Sequence, residues 1–185
     1  SSDLCYPDSG DQPLFNGDKS LVLGVNGEIY NHLELREKLE ERAPGKHKFM
    51  TKSDCEILLH LYAEDGPDFL SKNEICGMFA FVLWDTKQQR FFIARDTIGI
   101  IPLYVGFGKD GTVQVASELK CLTETCSQYE CFPPGHIQDS KTGERKQYYR
   151  PQWMEPSYFP TETIELTALR EAFEKAVISH RSEER

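Results

Sequence analysis

The chain has 185 residues, of which 39% are apolar and 28% are charged, so a folded core is expected and general disorder is excluded. Its 21 Lys and Arg residues against 30 Asp and Glu residues give a net charge of −9. This balance argues against binding to a nucleic-acid backbone or to an anionic membrane, because both need basic surfaces. No apolar run approaches the roughly 20 residues of a membrane span, and no signal peptide is visible.

The first predicted strand is the short apolar run Leu21–Val25, which has the composition of a buried strand. Asn26 and Gly27 follow it. An Asn-Gly pair is typical of a turn, so we expect the strand to end there.

Two helices are predicted next. His32–Arg42 carries three leucines among charged residues, which favours an amphipathic helix. Ser53–Glu56 has the spacing of a capping box, a hydroxyl followed three residues later by a carboxylate. We therefore expect a second helix to begin there and to end at Gly66-Pro67.

The hydrophobic period then changes to that of strands. The run Met78–Trp84 has no polar alternation, so both of its faces are expected to be covered, as in a layered α+β domain. Tight connections predict one antiparallel meander of four strands: Met78–Trp84, Arg90–Ala94, Leu103–Phe107 and Thr112–Ala116.

The chain is loop-like after Pro134, and Gln147–Tyr149 is the last predicted strand. Proline-rich sequence around Trp153–Pro160 predicts a linker. Thr161–His180 returns to helical spacing, with Leu166, Leu169, Phe173 and Val177 on one face. We expect residues 1–155 to form the sheet domain and residues 156–185 to be a linker and a helix. That helix is expected to be the first piece of a further domain, with a tail docked on the sheet domain as the alternative.

The six cysteines are too sparse for a secreted disulfide scaffold, so we interpret them as reduced thiols of a cytoplasmic protein. Cys121, Cys126, Cys131 and His136 recur every five residues, which leaves a zinc site as an alternative. Zinc sites usually use two close ligand pairs, so loop thiols without a bound metal are preferred.

Asn26, Gly27 and Asp54 are the residues whose chemistry points to a site. An Asn amide beside a Gly backbone N–H can stabilise an oxyanion, although a simple turn is the alternative reading. Asp54 at the start of a helix can be a carboxylate favoured by the helix dipole, or it can bind a ligand ammonium group.

Several motifs together resemble one family, from about Gly10 to about His180. NGEIYN is shared by class II glutamine amidotransferases, while the later motifs point to glutamine-dependent asparagine synthetases. In chain order they are VNGEIYNH at Val25–His32, SDCE at Ser53–Glu56, GMFAF at Gly77–Phe81, ARDTIGIIPLY at Ala94–Tyr104, ASELK at Ala116–Lys120 and FPPGH at Phe132–His136.

The resemblance implies the N-terminal-nucleophile hydrolase fold, a four-layer αββα sandwich of antiparallel sheets, here incomplete at its N-terminus. It implies an enzyme that cuts ammonia from L-glutamine and passes it through a tunnel to a synthetase domain. That domain uses aspartate and ATP, with Mg²⁺, to form asparagine. No cofactor is expected in this chain, and the resemblance also allows a homodimer.

The resemblance also assigns roles to residues. Asn26 and Gly27 match the oxyanion hole, Glu28 matches a contact to glutamine, and Asp54 matches the residue that receives the α-ammonium group. Arg95 and Asp96 lie by resemblance toward the tunnel and the domain interface. No metal ligand is implied in this part of the family.

The family's nucleophile is an N-terminal Cys whose own amino group is the base, and an Arg near it grips the substrate carboxylate. This sequence has Ser1 and Ser2 there, and it ends before a synthetase ATP loop. We therefore expect an incomplete piece of the enzyme. The alternatives are a degenerate stand-alone binding module and another class II amidotransferase, such as a glucosamine-6-phosphate or purine-pathway enzyme.

A chain of these 185 residues alone is expected to release no glutamate from glutamine, because the thiol and the base of the family are absent from it. A coupled glutamate assay on the purified chain measures this. Turnover that Cys5→Ala abolishes would instead identify Cys5 as the nucleophile.

Overall fold

The computed structural model describes residues 11–161, 163 and 165–180. The interpretations of Ser1, Ser2 and Cys5 lie outside these residues. The chain divides into two compact units, one that ends at Tyr149 and one that begins at Arg150. This boundary lies six residues before the predicted one. That residues 156–185 are a linker and the first helix of a further domain stays a prediction.

The first unit contains nine strands and three α-helices in its described residues. The strands are β1 (Leu14–Phe15), β2 (Leu21–Ile29), β3 (Gly77–Asp85), β4 (Arg90–Arg95), β5 (Tyr104–Phe107), β6 (Val113–Ala116), β7 (Gln128–Cys131), β8 (His136–Asp139) and β9 (Arg145–Gln147). The helices are α1 (His32–Arg42), α2 (Ile57–Asp65) and α3 (Phe69–Lys72).

The larger sheet has the strand order β1-β2-β3-β4-β8-β9, with every neighbouring pair antiparallel. β2 pairs with β3 along all nine of its residues. The expected strand end at Asn26 and Gly27 is therefore wrong, since Asn26 lies opposite Ala80 and Gly27 opposite Phe79. Tertiary pairing overrides the local turn preference of the Asn-Gly pair.

The predicted four-strand meander is also wrong. β3 and β4 stay in the larger sheet, whereas β5 and β6 form a separate sheet of order β6-β5-β7. Turn spacing alone cannot distinguish a hairpin neighbour from a strand that crosses to another sheet. β7 and β8 were not predicted, because their residues are mostly polar, and the last strand ends at Gln147 rather than Tyr149.

Two hydrophobic clusters lie on opposite faces of β3. Phe79, Phe81 and Leu83 belong to the cluster shared with the helices, while Ala80 and Val82 pack in a second cluster with Leu103, Val105 and Phe132. Both faces of the Met78–Trp84 run are therefore covered, as predicted.

The outer face of the smaller sheet is covered by a short segment. Leu119–Cys121 forms a 3₁₀ turn, and the buried Leu122 and Cys126 follow it. A side chain at Gly106 of β5 would collide with Cys126 and approach Leu122, so glycine allows this close contact. The described residues thus confirm the α+β class with two antiparallel sheets.

The capping-box prediction at Ser53–Glu56 is wrong in detail, because the Ser53 side chain makes no cap hydrogen bond. Asp54–Glu56 forms a 3₁₀ turn that continues into α2. Glu56 is fully buried, and its carboxylate accepts bonds from the amides of Met50 (2.6 Å) and Thr51 (2.7 Å). These bonds fix the loop before α2 and, with it, the position of Asp54.

A chain of polar contacts joins Glu56 to Glu64 through two histidines. His60 Nε2 lies 3.4 Å from Glu56, His60 Nδ1 lies 3.3 Å from His47 Nδ1, and His47 Nε2 lies 3.1 Å from Glu64. Burial lowers the pKa of His47, and the neighbouring His60 and Lys46 add to this, against the raising effect of Glu64. When His47 is neutral, only one of its two ring nitrogens carries a hydrogen, so it can donate either to Glu64 or to His60.

This lowered pKa predicts a loss of stability in mild acid. The unfolded chain binds a proton at His47 near pH 6.5, while the folded state resists it, so the free energy of unfolding should fall as the pH drops below about 6.5. Hydrogen bonds to the carboxylates of Glu56, Glu64 and Asp65 lower their pKa values, so the stability that these groups contribute is lost only below about pH 4, outside this range. Urea unfolding between pH 7 and pH 5 measures the slope, and His47→Gln should flatten it. An unchanged slope in that variant would contradict this role of His47.

The loop after β4 is held by two buried charged side chains, Arg95 and Asp96. The Asp96 carboxylate accepts four backbone N–H groups of residues 98–101, at 2.6 to 3.2 Å. The Arg95 guanidinium donates to the carbonyl oxygens of Gly99, Ile101 and Phe132. These bonds hold the backbone of residues 98–101 in place.

The second unit contains a 3₁₀ turn at Gln152–Met154 and α4 (Leu166–His180), which begins five residues later than Thr161. Its predicted apolar face is exposed, with Leu166, Leu169 and Phe173 each more than 60% accessible. In the described part of the chain, no helix is both long and apolar enough to cross a bilayer.

Candidate active site

A cavity of about 260 Å³ lies between the two sheets. Residues of β2 and β3 form one wall, and the end of β6 forms the other. It is lined by Gly24, Val25, Asn26, Ala80, Phe81, Val82, Leu103, Val115, Ala116 and Ser117. The predicted oxyanion residue Asn26 therefore lines an open pocket between the sheets and does not form a surface turn.

Asn26 lies within a continuous strand, which fixes its backbone on both sides. Its side chain is half-buried, and Nδ2 donates a hydrogen bond of 3.1 Å to the hydroxyl of Ser117 in the segment after β6. Ser117 lines the same cavity and was not predicted as a site residue. Its only signal was its place in the ASELK motif, and a polar residue after a strand is usually part of a turn.

Gly27 occupies a backbone conformation that requires glycine. Its φ is +151°, and a side chain there would collide with the carbonyl oxygen of Met78 and with the backbone of Phe79. The main chains of β2 and β3 thus approach closely beside Asn26. Because glycine has no side chain, nothing on Gly27 itself covers its peptide N–H.

Glu28 and Tyr30 follow and are half-buried. Burial raises the pKa of Tyr30 to about 12, and the negative charges of Glu28 and Asp96 add to the effect. Tyr30 therefore keeps its phenolic proton at neutral pH and remains a hydrogen-bond donor near the Glu28 carboxylate.

Asp54 reaches the same end of β2 from the helical side. Its side chain is buried, and Oδ2 accepts the backbone N–H of Ile29 at 2.5 Å. The Cys55 thiol lies 3.5 Å from this oxygen and 3.6 Å from the carbonyl oxygen of Gly27. Asp54 is thus tied to the strand that carries Asn26, Gly27 and Glu28.

Asn26, Gly27 and Glu28 are consecutive on β2, and Asp54 bonds the next residue, Ile29. Of these four residues only Asn26 lines the cavity, and Arg95 and Asp96 hold a separate loop. Asn26 and Ile29 are three residues apart, about 10 Å along a strand. An amide donor and a buried carboxylate therefore lie at the two ends of one short stretch.

Cys121, Cys126 and Cys131 are free thiols. Cys126 is buried, Cys121 and Cys131 are exposed, and Cys131 Sγ lies 3.4 Å from Arg95. Among residues 11–161, 163 and 165–180, no three His, Cys, Asp or Glu side chains are placed to hold a metal ion.

Residues 4–149 match the family described as the glutamine amidotransferase domain. The chain belongs to this family. The chain is 49% identical over 172 residues to a nodule asparagine synthetase (glutamine-hydrolysing) of Pisum sativum and 52% identical over 172 residues to asparagine synthetase 1 (glutamine-hydrolysing) of Arabidopsis thaliana. Each alignment covers 93% of this chain and 28% of the relative.

A solved structure shares the fold of the amidotransferase domain. It is glutamine phosphoribosylpyrophosphate amidotransferase from B. subtilis, with a TM-score of 0.60 and 26% identity over 76% of this chain and 32% of that one. The predicted N-terminal-nucleophile hydrolase fold and the resemblance to the glutaminase part of asparagine synthetases are confirmed. The chain spans little more than a quarter of the length of these synthetase relatives.

Proposed function

We propose that this amidotransferase domain hydrolyses L-glutamine and supplies the ammonia for asparagine synthesis within a larger protein. The observation that carries the proposal is the identity of about 50% to asparagine synthetases over 93% of the chain. The identity to the phosphoribosylpyrophosphate amidotransferase is 26%. This difference favours asparagine synthesis over the purine pathway among class II amidotransferases.

The inter-sheet cavity supports the first half of the reaction. When a nucleophile attacks the amide carbon of glutamine, negative charge develops on the amide oxygen. The Asn26 amide and the Gly27 N–H are the donors proposed for that oxygen. Because the donors lie on a paired strand, they need little reorganisation as the charge develops.

Asp54 and Glu28 are proposed to bind the amino-acid end of glutamine. Asp54 is buried and anchored by the Ile29 amide, so its carboxylate is already ordered before the α-ammonium group arrives. Recognition of that ammonium distinguishes free glutamine from a glutamine residue inside a peptide.

The thiol and its base are proposed, by family resemblance, to come from an N-terminal Cys outside the described residues. The synthetase half-reaction, with aspartate, ATP and Mg²⁺, is proposed to occur in a further domain. A homodimer and a cytoplasmic location are also proposed, and light scattering and cell fractionation test them.

The test uses the full-length protein that carries this chain. We expect asparagine to form from aspartate and ATP with either glutamine or ammonium chloride as nitrogen donor. Asn26→Ala should abolish most glutamine-dependent synthesis and leave ammonia-dependent synthesis intact. Formation of glucosamine 6-phosphate or phosphoribosylamine instead would assign another class II pathway, and no glutamate release at all would favour a binding module.

A further inference from the structure

The geometry points to Ser117 as a positioning residue that orients the Asn26 amide for the oxyanion, an inference that rests on the proposed glutamine hydrolysis. Ser117 and Asn26 come from different sheets and are 91 positions apart in the chain. Their side chains meet across the inter-sheet cavity that both line.

The Asn26 amide nitrogen has two hydrogens in a fixed plane. One of them is donated to the Ser117 hydroxyl at 3.1 Å. No bond joins the other hydrogen to the residues that the structure describes. Because the amide is planar, fixing one hydrogen also fixes the direction of the second, which is the donor that remains for an oxygen in the cavity.

Ser117 is itself held by the smaller sheet. The residue before it, Ala116, pairs with Tyr104 of β5, and Leu122 is buried shortly after it. The hydroxyl is therefore placed by a strand end rather than by a free loop. A side-chain amide without this contact would rotate about its last torsion and would have to be ordered in the transition state.

The expected effect of Ser117→Ala is on kcat rather than on KM. An oxyanion exists only during the reaction, so a weaker oxyanion donor changes the barrier and leaves ground-state binding intact. Loss of one neutral hydrogen bond predicts a fall of roughly 3- to 10-fold in kcat. This is smaller than the effect expected from removing the Asn26 amide itself, because Ser117 acts through it.

The test is a double-mutant cycle in the full-length protein, with kcat and KM for glutamine hydrolysis as readouts. Ser117→Ala should lower kcat in the unsubstituted background and change it less than about two-fold in the Asn26→Ala background. Ser117→Thr, which keeps the hydroxyl, should retain most of the activity. Ser127→Ala is the matched control, since the Ser127 hydroxyl donates to Phe107 on the same sheet, away from Asn26.

Equal losses from Ser117→Ala in both backgrounds would overturn the inference and leave the proposed function standing. A change in KM for Ser117→Ala without a change in kcat would also overturn the inference. An unsubstituted full-length protein that releases no glutamate would overturn the proposed function and this inference with it. If Ser117→Ala fails to fold, Ser117→Cys has the same shape with a weaker acceptor, and its kcat must fall in the same background-dependent way.

Discussion

Asn26→Ala in the full-length protein should lower kcat for glutamine hydrolysis by about 10²- to 10³-fold, with little change in KM. The Asn26 amide is proposed to meet an oxygen whose negative charge exists only in the transition state. Its removal therefore raises the barrier without weakening substrate binding. The methyl group of alanine still fits in the strand, so the pairing of β2 with β3 is expected to persist.

The matched control is Gln114→Ala, which removes another side-chain amide from the first unit. Gln114 lies on β6 and accepts a bond from Thr125. Its removal should leave both kinetic constants near their original values. A large rise in KM with unchanged kcat for Asn26→Ala would show that Asn26 binds the ground state and is not an oxyanion donor.

Asp54→Asn should raise KM for glutamine by roughly 10- to 150-fold, which corresponds to the loss of one charged hydrogen bond. The amide oxygen of the new side chain can still accept the Ile29 N–H, so the strand end stays in place. What disappears is the negative charge proposed to bind the α-ammonium group. That group is bound equally in ground and transition states, so kcat should change little.

Glu37→Gln is the control for this substitution, because it removes the same charge from an exposed position on α1. The KM of that variant should be unchanged. A fall in kcat at Asp54→Asn with unchanged KM would mean that the carboxylate acts on the reacting amide and does not bind the amino group. Thermal unfolding of each variant shows whether the fold is retained.

The sequence predicted the elements whose hydrophobic period is strong. α1 was placed with its correct bounds, and the covering of β3 on both faces followed from an apolar run without alternation. β7 and β8 could not be predicted in the same way. They are short and mostly polar, and they are strands because β7 pairs with β5 and β8 pairs with β4.

The site was predicted in part by residue chemistry and in larger part by resemblance. Asn26 and Gly27 alone favoured a turn, and only the pairing of β2 with β3 shows why this pair can remain extended. The contact of Asn26 with Ser117 joins two sheets, and no local pattern encodes such a contact. Similarly, the capping-box spacing at Ser53 gave no hint that Glu56 would instead bond the loop before it.

The loop of residues 98–101 has a consequence for association. Ile98 and Ile100 are 60% and 49% exposed, although the backbone that carries them is bound to Asp96 and Arg95. Ordering a mobile loop at an interface costs about 1–2 kcal/mol of conformational entropy per residue. This loop is ordered before any surface approaches, so a partner that covers the two isoleucines would not have to offset the entropy cost of ordering the loop backbone.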